Sequence, residues 1–153
     1  MKIWRFEDLK MDTPKDEMKL ALNQIVIPEL RKLQFKGTFP HFRRILDGKL
    51  NLLTFQFDKY GGGFIIEIAN CDANGFTTHW GKEIPPTKLT VYDLSKRKRI
   101  YADIKSADTS INNWYRYDRT SLNQIINIYQ SICNEILDNL NFAENYWRDG
   151  EVN

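Results

Sequence analysis

Two short turn sequences, Asp47-Gly48 and Tyr60-Gly61-Gly62-Gly63, interrupt residues 39–71, where apolar runs have the character of strands. Asp-Gly between two apolar runs is a strong signal for a β-hairpin with a two-residue loop. The glycine run carries no Gly-Lys-Ser/Thr and does not open a helix, so it indicates a second hairpin turn instead of a phosphate loop. Residues 39–71 are therefore predicted to form three antiparallel strands.

These turns also predict the register of the strands and the face on which each side chain lies. The first turn sets His41 opposite Thr54, and the second sets Gln56 opposite Glu67. The predicted core face carries Phe42, Leu53, Phe55, Phe57, Ile66 and Ile68. The opposite face is partly polar, and its candidate ligand-binding residues are His41, Arg43, Thr54, Gln56 and Glu67. This face is either solvated or, if residues 72–98 cover it, buried around a small-ligand pocket.

Apolar residues at helical spacing flank the strands on both sides. Thr13-Pro14 is a helix-start signal, and Pro28 is expected to kink the first helix or divide it in two. Ser121 and Gln124 match a capping box, after which apolar residues keep helical spacing as far as Leu140. The order of helix, antiparallel strands and helix is the α+β pattern.

The predicted fold is thus an antiparallel sheet of about four to five strands, flanked by an N-terminal, proline-kinked helix and a C-terminal helix. A chain of 153 residues fits a single α+β domain spanning 1–153. Within it, residues 1–12 and 141–153 are expected to be less ordered. Residues 72–118 have too weak a pattern to distinguish strands from a long loop.

Composition and charge exclude several classes of protein. A chain that is 42% hydrophobic and 27% charged is neither a disordered tail nor a coiled-coil rod. The net charge of +2 gives no strong indication of nucleic-acid binding. Cys71 and Cys133 form no C-x-x-C pair and are expected to be buried small hydrophobes, with a disulfide as the alternative. Residues 1–8 have no apolar run and include two acids, so we expect no secretory signal and a location in the cytoplasm.

No sequence motif indicates catalysis or a bound metal. Neither His41 nor His79 stands in a recognisable arrangement with a nucleophile. Residues 70–75 imitate the opening of a calcium loop, but its twelfth position is Gly81 instead of the bidentate glutamate. We therefore expect no enzyme activity, no cofactor and no metal.

A single basic run, residues 95–99, precedes an aromatic cluster at residues 114–119. Cations and aromatic rings together imitate a surface for single-stranded nucleic acid, although aspartates lie among these residues. Aromatic side chains and arginines are also the usual anchors of protein interfaces. The candidate interface residues are Trp80, Arg97, Arg99, Trp114 and Tyr115.

Three functions follow from these surfaces. The first is a non-catalytic module that binds another protein, in an immunity- or antitoxin-like role by analogy with small bacterial domains. The second is a binder of single-stranded nucleic acid, which requires the basic run and the aromatic cluster to share one face. The third is a small-ligand pocket or an enzyme on the polar sheet face, which requires a concave surface there.

Several short motifs together resemble a known family. They are Phe35-Lys36-Gly37, Phe42-Arg43-Arg44, Asp47-Gly48, Phe55-Gln56, Phe64 with Ile66 and Ile68, Arg99-Ile100 and Trp114-Tyr115. Over most of residues 14–140 the chain resembles the bacterial domain-of-unknown-function 4304 family, which often has Asn at the position of Glu67 and Gly at that of Gln34. The resemblance implies a small cytoplasmic α+β domain and no particular activity.

Overall fold

The computed structural model describes residues 13–104, 114–118 and 127–153. Its first helix, α1 (Pro14–Ala21), begins after Thr13, whose hydroxyl accepts a hydrogen bond from the Asp16 N–H at 3.2 Å. A π-helical turn at Leu22–Val26 leads directly into α2 (Ile27–Lys32). Pro28 lies in the first turn of α2, so the helical segment is divided close to the predicted position.

The end of this helical segment offers a test of backbone strain. Gln34 has a left-handed backbone, with φ of 76°, and the Phe35 N–H donates to the Leu30 carbonyl at 3.0 Å. Glycine is favoured at such a position because it has no Cβ. We expect Gln34→Gly to raise the free energy of unfolding by about 0.5–1 kcal/mol in urea denaturation. Gln130→Gly, in the last helix, should lower it, and a loss of stability in both variants would contradict the strain argument.

The strands of the described residues form an antiparallel sheet and a small separate ribbon. The strands of the sheet are β1 (Lys36–Thr38), β2 (His41–Leu46), β3 (Lys49–Phe57), β4 (Gly63–Asp72), β7 (Lys98–Ile100) and β8 (Tyr115–Arg116). Their order is β1-β2-β3-β4-β7, and β8 also pairs with β4. β5 (Phe76–Thr77) and β6 (Glu83–Ile84) pair only with each other. The predicted α+β class with an antiparallel sheet is confirmed.

The register of the first hairpin is as predicted, and that of the second is shifted. His41 lies opposite Thr54. In the second hairpin Glu67 lies opposite Thr54, and Gln56 lies opposite Ile65, so the predicted Gln56–Glu67 pair is wrong. The turn closes earlier than predicted, because the Asp58 N–H donates to the Gly63 carbonyl at 2.9 Å. A shift of two residues leaves every side chain on its predicted face.

The last helix, α3 (Ile128–Asp149), begins and ends later than the sequence indicates. Its N-cap is Asn127, whose side chain accepts hydrogen bonds from two N–H groups of the first turn. The predicted capping box at Ser121 and Gln124 lies outside the described residues. The expectation of less order after residue 140 is wrong up to Asp149, because α3 continues and buries Trp147 to 2% exposure.

The helices cover one face of the sheet and residues 76–94 cover part of the other. The main core packs α1, α2 and α3 against the predicted apolar face. A second cluster joins Leu50 and Leu52 of the opposite face to Leu89, Val91 and Leu94. The partly polar face is therefore covered at its apolar end, which leaves its polar residues at the margin of the covering segment. Among the described residues, no helix is both long and apolar enough to cross a membrane.

Candidate functional site

Polar side chains from four neighbouring strands form one row across the partly polar face. Register places His41, Thr54, Glu67 and Arg99 side by side on β2, β3, β4 and β7. His41 Nδ1 lies 2.9 Å from Thr54 Oγ1. The Glu67 carboxylate accepts from Arg99 at 3.4 Å and from Arg97 at 3.1 Å. The sequence assigned these residues to two separate surfaces, and the sheet brings them together.

The burial of Thr54 argues against catalysis by its hydroxyl group. Burial lowers the pKa of His41 below its usual 6.5, although Asp93 acts in the opposite direction, so the imidazole is neutral at pH 7. A neutral histidine beside a hydroxyl resembles a base and its nucleophile. Thr54, however, is only 1% exposed, so a substrate cannot reach it.

A cleft of about 420 Å³ opens beside the row, between the β1–β2 hairpin and residues 87–90. His41 and Arg43 line it from the sheet, and Thr87, Lys88 and Thr90 line it from the covering segment. The polar face is therefore concave at this margin. Of the other predicted pocket residues, Thr54 and Glu67 are buried and Gln56 is half-buried, and none of the three lines the cleft.

The cations of the basic run make contacts within the chain. Arg97 and Arg99 share the carboxylate of Glu67. Lys96 Nζ donates to the Val152 carbonyl at 3.4 Å, and Lys98 Nζ lies 5.7 Å from the centre of the Phe142 ring. The salt bridges to Glu67 offset part of the positive charge that the run could offer to the phosphates of a nucleic acid.

The basic run and the aromatic cluster both adjoin β4, through β7 and β8. Arg116 pairs with Asp118 at 2.6 Å and with Asp58 at 3.7 Å, and Arg119 lies outside the described residues. The two segments are thus near neighbours, but the arginines described in them already contact carboxylates. This arrangement weakens the nucleic-acid hypothesis.

The candidate interface aromatics differ widely in exposure. Trp80 is 69% exposed and Trp114 is half-buried. Tyr115 is 1% exposed, stacks on Phe64 with ring centres 5.2 Å apart, and accepts a hydrogen bond from Asn139 at 2.9 Å. Its assignment to an interface is wrong, because its register opposite Phe64 places it on the core face.

A buried polar network on the core face escaped the sequence analysis. Arg44 donates two 2.8 Å hydrogen bonds to the Glu144 carboxylate of α3 and a third, of 3.0 Å, to Asn51. Asn51 donates to Asn70, which donates to the Trp147 carbonyl at 3.1 Å. Strand alternation alone places Arg44, Asn51 and Asn70 on the core face, so the sequence already indicated these buried polar positions. The network joins the sheet to the end of α3 and is structural.

The cysteines are equally unsuited to chemistry. Cys71 and Cys133 are buried free thiols, as predicted, and no disulfide joins them. Burial raises the pKa of each thiol to about 11, so neither forms the nucleophilic thiolate at neutral pH. Among the described residues, no three His, Cys, Asp or Glu side chains gather as metal ligands.

Comparison with known proteins identifies a family. No curated protein and no solved structure shows a significant match to the chain. The family model of Domain of unknown function (DUF4304) matches residues 26–145, which run from the π-helical turn into α3. The match covers the motifs on which the resemblance was based, and this protein belongs to the DUF4304 family.

Proposed function

We propose that this protein is a non-catalytic module that binds another protein, and that Trp80 is the central contact residue. The observation that carries the proposal is the 69% exposure of Trp80 at the tip of the β5–β6 ribbon. Among the tryptophans that the structure describes, Trp147 is buried and Trp114 is half-buried. Tryptophan is enriched among the residues that contribute most to protein–protein affinity.

Hydrogen bonds between Thr78 and Lys82 close the turn that carries Trp80. The Thr78 N–H donates to the Lys82 carbonyl at 2.8 Å, and the Lys82 N–H donates back to the Thr78 hydroxyl at 2.9 Å. The His79 ring lies edge-on to the Trp80 indole, with ring centres 4.6 Å apart. A side chain presented on an ordered turn loses less conformational entropy when it binds a partner. This preorganisation supports a role in binding.

The chemistry of the buried groups supports the non-catalytic part of the proposal. The Thr54 hydroxyl beside His41 is out of reach of a substrate, and the two thiols stay protonated. We place the protein in the cytoplasm, where free thiols such as Cys71 and Cys133 are the rule. In an immunity- or antitoxin-like role, the partner would be a toxin.

Capture of partners from a native lysate, with matched variants, tests this function. Trp80→Ala should weaken retention of one stoichiometric protein by roughly 30-fold, because truncation of a central aromatic costs about 2 kcal/mol of binding free energy. Tyr60→Ala is the matched control, since Tyr60 is 85% exposed on a different turn. It should leave retention unchanged, and both variants should keep the melting temperature of the wild type.

Two results would contradict the proposal. Equal retention of the protein partner by the wild type and Trp80→Ala would remove Trp80 from the interface. Nuclease-sensitive absorbance in the eluate, without a protein partner, would favour the nucleic-acid hypothesis, and its retention should then fall steeply with salt.

A further inference from the structure

Arg43 stands apart from the other arginines of the described residues. The side chain of each of the others donates a hydrogen bond to a carboxylate or a carbonyl oxygen. These arginines are Arg31, Arg44, Arg97, Arg99, Arg116 and Arg148. No such bond to Arg43 exists within the described chain. Arg43 is nevertheless half-buried and lines the cleft between the β1–β2 hairpin and residues 87–90. A guanidinium that loses part of its hydration without gaining an acceptor is unfavourable.

The charges around Arg43 increase this cost. Lys36 lies directly opposite Arg43 on β1, and like charges in that position repel each other. Lys88 lines the facing wall of the cleft. Within the described residues, none of the three cations forms a salt bridge. Asp93, on the covering segment, accepts a hydrogen bond from the Thr90 N–H at 2.9 Å and ends its own short turn.

The polar side chains of the cleft are rich in donors. Thr38 and Thr87 line the cleft with hydroxyl groups, Arg43 and Lys88 line it with cations, and no carboxylate lines it among the described residues. A guanidinium binds two oxygens of one anion at once, and an ammonium adds a point charge. A phosphate has enough acceptor oxygens to meet all of these donors, whereas a carboxylate has only two.

We propose that this cleft binds the phosphate group of a small phosphorylated molecule, with Arg43 as the principal ligand-binding residue. A volume of about 420 Å³ suits a small molecule. An extended peptide is disfavoured, because Arg31 donates to the Gly37 carbonyl at 2.6 Å and so occupies an acceptor of β1 that an added strand would need. The site is separate from Trp80 and does not depend on the proposed protein partner.

Titration with inorganic phosphate, followed by amide chemical shifts and by melting temperature, tests the site. Sodium chloride at equal ionic strength separates binding from charge screening. We expect saturable shifts confined to residues 37–43 and 87–90 and a rise in melting temperature. Arg43→Gln should weaken phosphate binding about tenfold or more, and Lys88→Gln should weaken it by a smaller factor. Both variants should fold, since neither side chain has a hydrogen-bond partner within the described chain.

Lys59→Gln is the matched control, because it removes the same charge from an exposed lysine on the β3–β4 turn. It should bind phosphate as the wild type does. An equal response to sodium chloride, or unchanged binding by Arg43→Gln, would overturn the proposal. Equal affinity for acetate would overturn the assignment to phosphate.

Discussion

Replacement of Trp147 by alanine is expected to lower the free energy of unfolding by about 4 kcal/mol, the largest effect that we predict for a single substitution. The indole is 2% exposed and packs on the Phe35 ring with centres 4.9 Å apart. Its Nε1–H donates to the Leu52 carbonyl at 3.2 Å, so the substitution leaves both a cavity and a buried acceptor without its donor. Urea denaturation measures the loss.

Two further variants test whether the loss comes from the buried position of Trp147. Trp147→Phe keeps an aromatic ring and removes the donor, so the loss should be about 1–2 kcal/mol and the protein should still fold. Phe142→Ala, at a 36% exposed position of the same helix, should cost less than about 1 kcal/mol. Equal losses at Phe142 and Trp147 would mean that the end of α3 does not pack into the core.

Strand alternation predicted the faces of the sheet although it did not predict every pair. The sequence predicted a turn at Tyr60-Gly61-Gly62-Gly63, whereas the strand pairing observed ends at Phe57 opposite Phe64. The Asp58 side chain accepts a hydrogen bond from the Tyr60 N–H at 2.9 Å and so moves the turn towards β3. Because side chains repeat every two residues, this shift changed the partner of Glu67 and left its face unchanged.

The predicted site residues could be placed on a face more reliably than they could be grouped. Local pattern placed Thr54 and Glu67 correctly, because both lie within one meander. Arg97 and Arg99 reach Glu67 only because β7 pairs with β4, and that pairing joins segments about 30 residues apart. Local periodicity contains no information on such a pairing, so the arginines were assigned to an interface.

Polar residues at core-facing positions of the strands indicate a buried network. The three members Arg44, Asn51 and Asn70 of the buried network occupy core-facing positions by alternation alone. A buried arginine requires a carboxylate, and its partner, Glu144, lies in the segment for which the sequence indicated less order. The apolar pattern stopped at Leu140, whereas the ion pair of Glu144, the hydrogen bond from Asn70 and the buried ring of Trp147 hold the last two turns of α3 against the sheet.

We expect Glu144→Ala to lower the free energy of unfolding by about 3 kcal/mol, because it leaves the guanidinium of Arg44 without its counter-charge. The Arg44 side chain is only 5% exposed, so water cannot replace the two lost hydrogen bonds fully. Arg44 also lies 4.5 Å from the centre of the Phe35 ring, which prevents it from swinging out to solvent without loss of packing. Urea denaturation at neutral pH measures the effect.

The matched control is Glu29→Ala, which removes the same side chain from an exposed ion pair with Lys32. That pair is 72% and 41% exposed, so its loss should change the stability by less than about 0.5 kcal/mol. A large difference between the two variants follows from burial, since both glutamates lie 2.8 Å from their cations. Similar small losses would show that Arg44 finds water when Glu144 is absent, and that this ion pair adds little to the packing of α3 against the sheet.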